Sequence, residues 1–235
     1  MGKFRFSDFI VDDSRCGQKI CSDAVLFAAW AWHGRPVRGT VLDIGTGSGL
    51  LALITARLCP DARVTAVELD SEACKDASEN FAAFPYPHRP RLEECSFETF
   101  VPVEPPDAII CNPPFFSTGA LASEESRAAA RHEASLSLES AARYAARHLA
   151  PDGRLLLIGP ADREEHTVFA AELAGLKLRR RALVRTTPRK APTRAFWEFS
   201  PQDGPLESEE IDIRDADNRY SPEYLRLTEH LYHHL

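Results

Sequence analysis

Asn112, Pro113, Pro114 and Phe115 follow the apolar run "DAIIC", which predicts a buried strand. A proline fixes its own φ, has no N–H group and holds the residue before it extended. Asn112 and the two prolines are therefore expected to form a stiff extension of the strand with free carbonyl oxygens. A rigid array of acceptors suits a planar amino nitrogen that is conjugated to a ring or a carbonyl group.

Such a nitrogen is a poor nucleophile because its lone pair is delocalised. If the side-chain oxygen of Asn112 and the carbonyl of Pro113 accept both amino hydrogens, the lone pair can develop toward an electrophile. These hydrogen bonds strengthen in the transition state, where they accelerate a reaction. Phe115 is expected to stack on the flat substrate and orient it. The four residues therefore predict a site that binds a planar amine and activates it as a nucleophile.

A glycine-rich turn, "VLDIGTGSG", lies between a predicted strand and a predicted helix. Gly45, Gly47 and Gly49 permit positive φ and let backbone N–H groups approach a ligand closely. Glu68 ends the next predicted strand, where its carboxylate would accept both ribose hydroxyls of a nucleoside. Asp43, inside the strand end, is expected to face a cationic ligand. The glycine spacing is one residue short of the dinucleotide fingerprint, which weakens the alternative of a nicotinamide dehydrogenase.

Strands and helices are predicted to alternate from Thr40 onward, the pattern of a doubly wound, mostly parallel α/β sheet. Ligands of such sheets bind at the carboxyl ends of the strands, where both motifs lie. Toward the C-terminus, two strand-like runs predict an antiparallel hairpin, and the acidic stretch 201–217 is interpreted as a surface connection. Ser22 is expected to cap an N-terminal helix, and Ser221 to cap a last helix that begins at Pro222.

The composition bounds the class of protein. The 235 residues are 44% hydrophobic and carry a formal net charge of −7. This length and apolar content suffice for a globular protein, and the protein is too acidic to coat nucleic acid through overall charge.

Six cysteines without C-x-x-C spacing are expected to be reduced thiols. No apolar run is long enough to span a bilayer, so we expect a cytoplasmic protein. We also expect a monomer. His132 and the terminal "HLYHH" lack metal-ligand spacing, so no metal is expected.

The stretch 176–194 is rich in basic residues and contains no acidic one. In an acidic protein this local asymmetry predicts a phosphate-binding surface for nucleic acid. The alternative is a solvated hairpin whose charges protect an edge strand. Alternation along the strand places Arg180 on the opposite face from its two neighbours. The candidate nucleic-acid contacts here are Arg179, Arg180, Arg181, Arg185, Arg189, Lys190 and Arg194.

The motifs also resemble those of known families. The turn with Asp43, Gly45, Gly47, Gly49 and Glu68 resembles that of class I S-adenosylmethionine-dependent methyltransferases. "NPPF" resembles the motif of methyltransferases that act on amino groups of adenine, cytosine, guanine or glutamine. Nearly end to end, including "YSPEYLRLT", the chain resembles the bacterial tRNA adenine-N6 methyltransferases that modify adenine 37, just 3′ of the anticodon, in one valine tRNA.

This resemblance implies a Rossmann-like class I methyltransferase fold with a seven-stranded sheet, S-adenosylmethionine as methyl donor and tRNA as partner. It implies a single domain over 1–235, with an N-terminal extension at 1–39, a core at 40–200 and a C-terminal connection and helix at 201–235. The implied catalytic residues are Asn112, Pro113, Pro114 and Phe115, with Arg131 near the target base. The implied donor contacts are Lys19, Ser22, Asp23, Asp43, Gly45, Thr46, Gly47, Gly49, Glu68, Leu69, Ser96, Phe97 and Asn112.

One position departs from the family pattern. Such enzymes often carry an acid after the third strand, which accepts from the adenine amino group of the donor. This chain has Ser96 or Phe97 there. The contact is left open between Glu94, Ser96 and the backbone.

Three other functions are weighed. Ribosomal RNA guanine-N2 methyltransferases share "NPPF" but usually add a second, degenerate domain, for which 235 residues leave no room. Protein glutamine-N5 methyltransferases normally carry a helical domain before the glycine strand, and only 39 residues precede Thr40. From another class, a non-catalytic RNA-binding module is disfavoured by the presence of Asn112 and Glu68.

Overall fold

The structure, a computed structural model, describes residues 2–114 and 136–232. Its strands are β1 (Lys3–Arg5), β2 (Ile10–Asp12), β3 (Thr40–Ile44), β4 (Arg63–Glu68), β5 (Arg91–Glu94), β6 (Ala108–Cys111), β7 (Arg154–Pro160), β8 (Lys177–Arg185), β9 (Arg194–Ser200) and β10 (Glu207–Asp212). Its helices are α1 (Ser22–Trp32), α2 (Leu50–Leu58), α3 (Ser71–Ala83), α4 (Leu138–His148), α5 (Glu164–Leu173) and α6 (Pro222–Thr228), with 3₁₀ turns at Ala161–Arg163 and Glu229–Leu231.

One sheet joins β3 to β10 in the order β10-β8-β9-β7-β6-β3-β4-β5. Strands β3 to β7 are parallel, whereas β9 runs antiparallel to both β7 and β8. The chain moves outward from β3 to β5 and then crosses to the other side of β3 at β6. The carboxyl ends of β3 and β6 therefore flank the switch point at which open α/β sheets bind ligands. The predicted doubly wound sheet and its antiparallel hairpin are confirmed.

Both faces of the sheet are covered, which is why the central strands read as continuous apolar runs. On β6, Ile110 belongs to a buried cluster that contains Phe27 of α1 and Leu53 of α2. Ile109 of the same strand belongs to a second cluster with Tyr144 of α4. Because successive side chains point to opposite faces, each central strand is fixed by two cores. This packing holds the strand ends, and the residues just beyond them, in place.

Two predicted N-caps, Ser22 and Ser221, can be compared with the helix ends in the structure. Ser221 accepts a hydrogen bond from the backbone N–H of Tyr224, and Pro222 is the first helical residue of α6, as predicted. The prediction for Ser22 is wrong. Helix α1 begins at Ser22 itself, after Cys21, and no side chain caps it. Helix α1 has buried residues from Ala24 to Trp32, so packing rather than capping stabilises it.

The sheet has eight strands rather than the seven expected. The additional strand, β10, lies inside the stretch 201–217 that was interpreted as a surface connection, and it pairs in parallel with β8. Only Ile211 of β10 is buried, so the strand has no apolar alternation to reveal it. The polar strand β5, the β1–β2 hairpin and helix α5 were not predicted either. Among the described residues, no helix is long and apolar enough to cross a membrane.

Candidate active site

A cavity of about 470 Å³ opens at the carboxyl ends of the parallel strands. It brings together predicted residues from distant parts of the chain: Gly45, Gly47, Glu68, Leu69, Asn112 and Pro114. Ser96 and Phe97 line it as well. A smaller cavity of about 40 Å³ adjoins it and shares Gly45, Gly47 and Asn112 with it. The sheet thus places the glycine turn and the "NPP" extension on the same space, as their positions after β3 and β6 predict.

The glycine turn is shaped by positive φ and by close neighbours. Gly45 has φ of 68° and Gly47 has φ of 58°, which other residues adopt only with strain. A Cβ on Gly45 would lie 2.2 Å from the Cδ2 atom of Leu136, and one on Gly47 would lie 3.2 Å from the Sγ atom of Cys16. Gly49 lines neither cavity and contacts Phe81 instead. The first two glycines form the wall of the cavity, and the third serves packing.

Glu68 is held at the cavity wall by three backbone groups. Its Oε2 atom accepts from the N–H of Gly47 at 2.8 Å. Its Oε1 atom accepts from the N–H groups of Leu69 at 2.8 Å and Asp70 at 2.9 Å. These bonds fix the carboxylate at the end of β4 and leave acceptor capacity on Oε2 toward the cavity. The geometry suits a hydroxyl donor such as a ribose.

Asp43 lies behind the glycine turn rather than in the cavity. It is fully buried, and its Oδ2 atom accepts from the Oγ1 atom of Thr46 at 2.5 Å and from the N–H of Ala52 at 3.0 Å. Burial raises the pKa of this carboxyl to about 7, although both hydrogen bonds lower it. Asp43 lines neither cavity, so its predicted direct contact with a cationic ligand is corrected. It supports the turn, and Thr46 lines the smaller cavity beside it.

Asn112 carries the feature that points most directly to a ligand. Its Oδ1 atom is buried and has no hydrogen-bond partner among the residues that the structure describes. Buried polar atoms are nearly always paired, and an unpaired one needs an explanation. Asn112 lines both cavities, and Pro114 lines the larger one, whereas Pro113 is buried. Phe115 and Arg131 lie outside the described residues.

A loop before α1 forms a wall that the sequence did not reveal. Cys16 and Gln18 line both cavities, and no periodicity or motif marks them. Burial raises the pKa of the Cys16 thiol to about 11, so this side chain is neutral and serves as apolar wall. Lys19 lines the smaller cavity, and its ammonium donates to the carbonyl of Cys16 at 2.9 Å.

Two other predicted donor contacts do not reach the cavities. Ser22 is exposed, and Asp23 forms an ion pair with Arg194 at 3.1 Å. Neither residue lines the larger or the smaller cavity. Their neighbour Ala24 does line the smaller one. The start of α1 therefore borders the site, and Asp23 links it to the C-terminal hairpin.

The position that departs from the family pattern lies at the far end of the larger cavity, away from Asn112. Ser96 and Phe97 line the cavity, but Glu94 does not. The Oγ atom of Ser96 accepts from the N–H of Glu98 at 3.3 Å and remains able to donate or accept a second bond. Leu69 is 46% exposed and forms part of the same wall. Of the two side chains between which the contact was left open, Ser96 lines the cavity and Glu94 does not.

Arg180 corrects the prediction that the whole basic hairpin faces nucleic acid. It is 6% exposed. Its guanidinium lies 2.9 Å from the carboxylate of Glu198 and 3.8 Å from the centre of the Trp30 ring. Burial lowers the pKa of Arg180, and Glu198 opposes that shift. This arginine is part of the core and cannot reach an RNA phosphate.

Most of its neighbours are also engaged within the protein. Arg179 donates to the carbonyls of Gln202 and Asp203 at 3.0 and 2.9 Å. The ion pairs are Arg181 with Glu164, Arg185 with Glu210 and Asp212, and Arg194 with Asp23. The acidic partners come from α1, α5 and β10. Because these elements lie outside the stretch 176–194, the local sequence of the hairpin shows positive charge without the acids that neutralise it. Arg189 and Lys190 are exposed and form no ion pair within the described residues.

Comparison with known proteins agrees with this geometry. The family profile of the methyltransferase small domain matches residues 32–181. A tRNA1(Val) (adenine(37)-N6)-methyltransferase of Tolumonas auensis is 38% identical over 234 residues, which cover 97% of this chain and 96% of that protein. The protein of the same name from Porphyromonas gingivalis is 38% identical over 242 residues, covering 97% and 94%.

A solved structure supports the fold independently. The crystal structure of a predicted O-methyltransferase from Agrobacterium tumefaciens superposes with a TM-score of 0.67 and covers 90% of this chain and 98% of its own. At 17% identity, that likeness shows the fold alone. The sheet order, the glycine turn and the near full-length match to relatives all agree. The chain therefore belongs to the methyltransferase small domain family, and it has the α/β Rossmann-like fold of class I methyltransferases.

Proposed function

We propose that the chain transfers a methyl group from S-adenosylmethionine to the N6 atom of adenine 37 in tRNA1(Val). The observation that carries this proposal is the Oδ1 atom of Asn112, which has no partner within residues 2–114 and 136–232 and lies in the wall of the cavity above the glycine turn. The relatives that match nearly the whole chain are named for this reaction. An exocyclic amino group supplies the hydrogen-bond donor that this oxygen lacks.

The residues around the larger cavity fit the donor. Glu68 offers a fixed carboxylate oxygen to the ribose, and Gly45 and Gly47 let the backbone approach. Ser96 stands at the other end of the cavity, within the part that would hold the adenine ring. Bound there, S-adenosylmethionine supplies an electrophilic methyl group. Lys19, whose ammonium is already bonded to carbonyls, positions the loop around the donor rather than pairing with it.

On the acceptor side, Asn112 does the chemical work. Its Oδ1 atom accepts one hydrogen of the adenine amino group, and the carbonyl of Pro113 accepts the other. As the amino nitrogen pyramidalises, its hydrogens become more acidic and both bonds strengthen, so the stabilisation grows in the transition state. The prolines hold this geometry without backbone donors of their own. Stacking by Phe115 completes the orientation of the base. The methylated nitrogen then loses a proton to solvent.

The position of the target base in a folded tRNA determines how it can enter the cavity. A base in a folded anticodon loop must be splayed out to enter the cavity, which costs less in a loop than in a duplex. We place the protein in the cytoplasm because that is where its tRNA substrate is found, and we expect it to act as a monomer. The guanine-N2 and glutamine-N5 alternatives share the amino chemistry of Asn112, so only the substrate separates them.

The test is to identify the product. The protein is incubated with labelled S-adenosylmethionine and total tRNA, the RNA is digested, and the modified nucleoside is identified. N6-methyladenosine from tRNA1(Val) is expected, and a transcript with guanosine at position 37 should accept no label. N2-methylguanosine in RNA, or label on a protein glutamine, would replace the proposed substrate. Donor binding without transfer to any acceptor would leave only the non-catalytic alternative.

A further inference from the structure

The turn between β8 and β9 lies at the same edge of the sheet as the active-site cavity. Strand β7 ends at Pro160, which pairs with Arg194 at the start of β9. Arg194 also pairs with Val184 near the end of β8. Because β6 and β7 are parallel neighbours, the turn 186–193 emerges at the edge where Asn112 follows β6.

Direct contacts tie this turn to the site. The carbonyl of Thr193 accepts from the N–H of Ala161, the first residue after β7, at 3.3 Å. Arg194 forms its ion pair with Asp23 of α1 at 3.1 Å, and Ala24 lines the smaller cavity together with Asn112. The base of the hairpin is thus fixed to the border of the cavity.

Three cations project from this region without an ion-pair partner among the described residues. They are Arg189 and Lys190 in the turn and Arg163 in the 3₁₀ turn after β7, and all three are exposed. No acidic residue occurs in 186–194, although Asp162 adjoins Arg163. The arginines of β8 are engaged within the protein, whereas Arg163, Arg189 and Lys190 are exposed and available to a polyanion.

We propose that Arg163, Arg189 and Lys190 form an RNA-docking edge that holds tRNA phosphates beside the cavity while the target base enters it. This proposal rests on the proposed function and adds where the tRNA binds. Guanidinium and ammonium groups bind phosphates through charge and hydrogen bonds, without reading sequence. An edge adjoining the cavity lets phosphates near the anticodon loop be held while adenine 37 is splayed into the site.

The same hairpin provides a matched control. Lys177 is exposed at the opposite end of β8 and has no ion pair among the described residues. It lies eight residues before Arg185, about 26 Å away along an extended strand. Lys177 therefore carries the same charge at the edge of the sheet that faces away from the cavity.

The experiment measures the Kd of a tRNA1(Val) transcript over a series of salt concentrations. It compares the intact protein, the combined variant Arg163→Ala, Arg189→Ala and Lys190→Ala, and the single variant Lys177→Ala. Each phosphate contact contributes about 0.7 to 0.9 to the slope of log Kd against log salt. The combined variant should weaken binding and lower the slope by about 2. Lys177→Ala should leave both unchanged, and all three proteins should bind S-adenosylmethionine equally.

The outcomes separate this proposal from the proposed function. If the intact protein methylates tRNA but the combined variant keeps its Kd and its slope, the docking edge is wrong and the activity stands. If Lys177→Ala lowers the slope by about 0.7 to 0.9, as the loss of one phosphate contact would, binding is diffuse and the edge is equally wrong. If the intact protein methylates a protein and no RNA, the proposed function fails, and the docking edge fails with it.

Discussion

At the scale of single residues, Asn112 places a buried oxygen without a partner among the described residues in the wall of the cavity. Leaving a buried acceptor unpaired costs on the order of 1 to 3 kcal/mol. The two prolines hold the backbone of Asn112 extended at the wall of the cavity. In the proposed function, a substrate amino group pairs with the oxygen of Asn112 and removes this cost on binding. Substrate recognition and catalysis coincide at this residue in the proposed function.

Replacement of this amide should separate chemistry from donor binding. We expect Asn112→Ala to lower kcat roughly 100-fold or more, the effect of losing one preorganised hydrogen bond in a transition state. The Kd for S-adenosylmethionine should stay within about threefold, because the adjoining Glu68 and glycine turn are intact. Asn112→Asp, which keeps an acceptor oxygen, should retain more activity than alanine. Unchanged turnover in Asn112→Ala would remove the residue from the mechanism.

At the scale of elements, the loop 13–20, which we call the strap, depends on one buried carboxylate of α3. Asp76 is fully buried, and its Oδ2 atom accepts from the N–H groups of Arg15 at 2.7 Å and Cys16 at 2.9 Å. Its Oδ1 atom accepts from the guanidinium of Arg15 at 3.0 Å. Because Cys16 and Gln18 line both cavities, Asp76 sets one wall of the proposed donor site without lining it.

Loss of this carboxylate should affect the donor and spare the RNA. Hydrogen bonds to charged groups contribute about 1.5 to 3 kcal/mol each. We therefore expect Asp76→Ala to raise the KM for S-adenosylmethionine about tenfold or more, with little change in kcat at saturating donor. The Kd for tRNA should not change. The matched control is Glu79→Ala, which removes the other, exposed carboxylate that pairs with Arg15 at 3.0 Å and leaves the backbone bonds intact. If both variants shift KM equally, Asp76 does not position the strap.

The buried pair between β8 and β9 should matter for stability and not for RNA. Among the described residues, Arg180→Ala leaves the buried Glu198 with ion pairs to Arg154 at 3.7 Å and to Arg35 at 3.9 Å. Breaking a buried pair by removing one partner typically costs about 3 to 5 kcal/mol. We expect chemical denaturation to show a loss of this order, while the salt slope of tRNA binding in the folded fraction stays the same. If Arg180→Ala lowered the salt slope of tRNA binding without any loss of stability, Arg180 would contact RNA after all.

The elements show why the sequence predicts some features and misses others. Strands β3, β6 and β7 are apolar on both faces, so their existence and their neighbouring ends follow from the pattern. Strand β10 is charged apart from Ile211, and it is stabilised by pairing with β8 rather than by its own composition. The same long-range pairing supplies the acids that neutralise the hairpin. Local charge predicted an RNA surface at Arg180, and tertiary contacts decided otherwise.

Site residues divide in the same way. Asn112, Gly45 and Glu68 were predictable because each follows a recognisable strand and its chemistry is specific to that place. Cys16 and Gln18 were not, because the strap reaches the cavity only through hydrogen bonds to Asp76 on α3. A contact made across 60 residues of chain leaves no periodic trace in the sequence.

At the scale of the whole molecule, binding of S-adenosylmethionine should raise the free energy of unfolding and therefore Tm. A ligand that binds only the folded state at 100 times its Kd stabilises it by about 2.7 kcal/mol. For a chain of this size, each kcal/mol raises Tm by about 2 to 4 °C. S-adenosylmethionine should therefore raise Tm by roughly 5 to 10 °C. Asn112→Ala should show the same shift, and Asp76→Ala a smaller one at equal ligand concentration.

Comparing cofactors makes this measurement a test of the site. NADH shares the ribose that Glu68 would hold, but it adds a pyrophosphate, for which the glycine turn is one residue too short. The cavity of about 470 Å³ is also lined by the fixed carboxylate of Glu68, which repels that group. NADH should leave Tm unchanged at concentrations where S-adenosylmethionine raises it. A shift with NADH and none with S-adenosylmethionine would mean that the turn binds a dinucleotide and that Asn112 has another role.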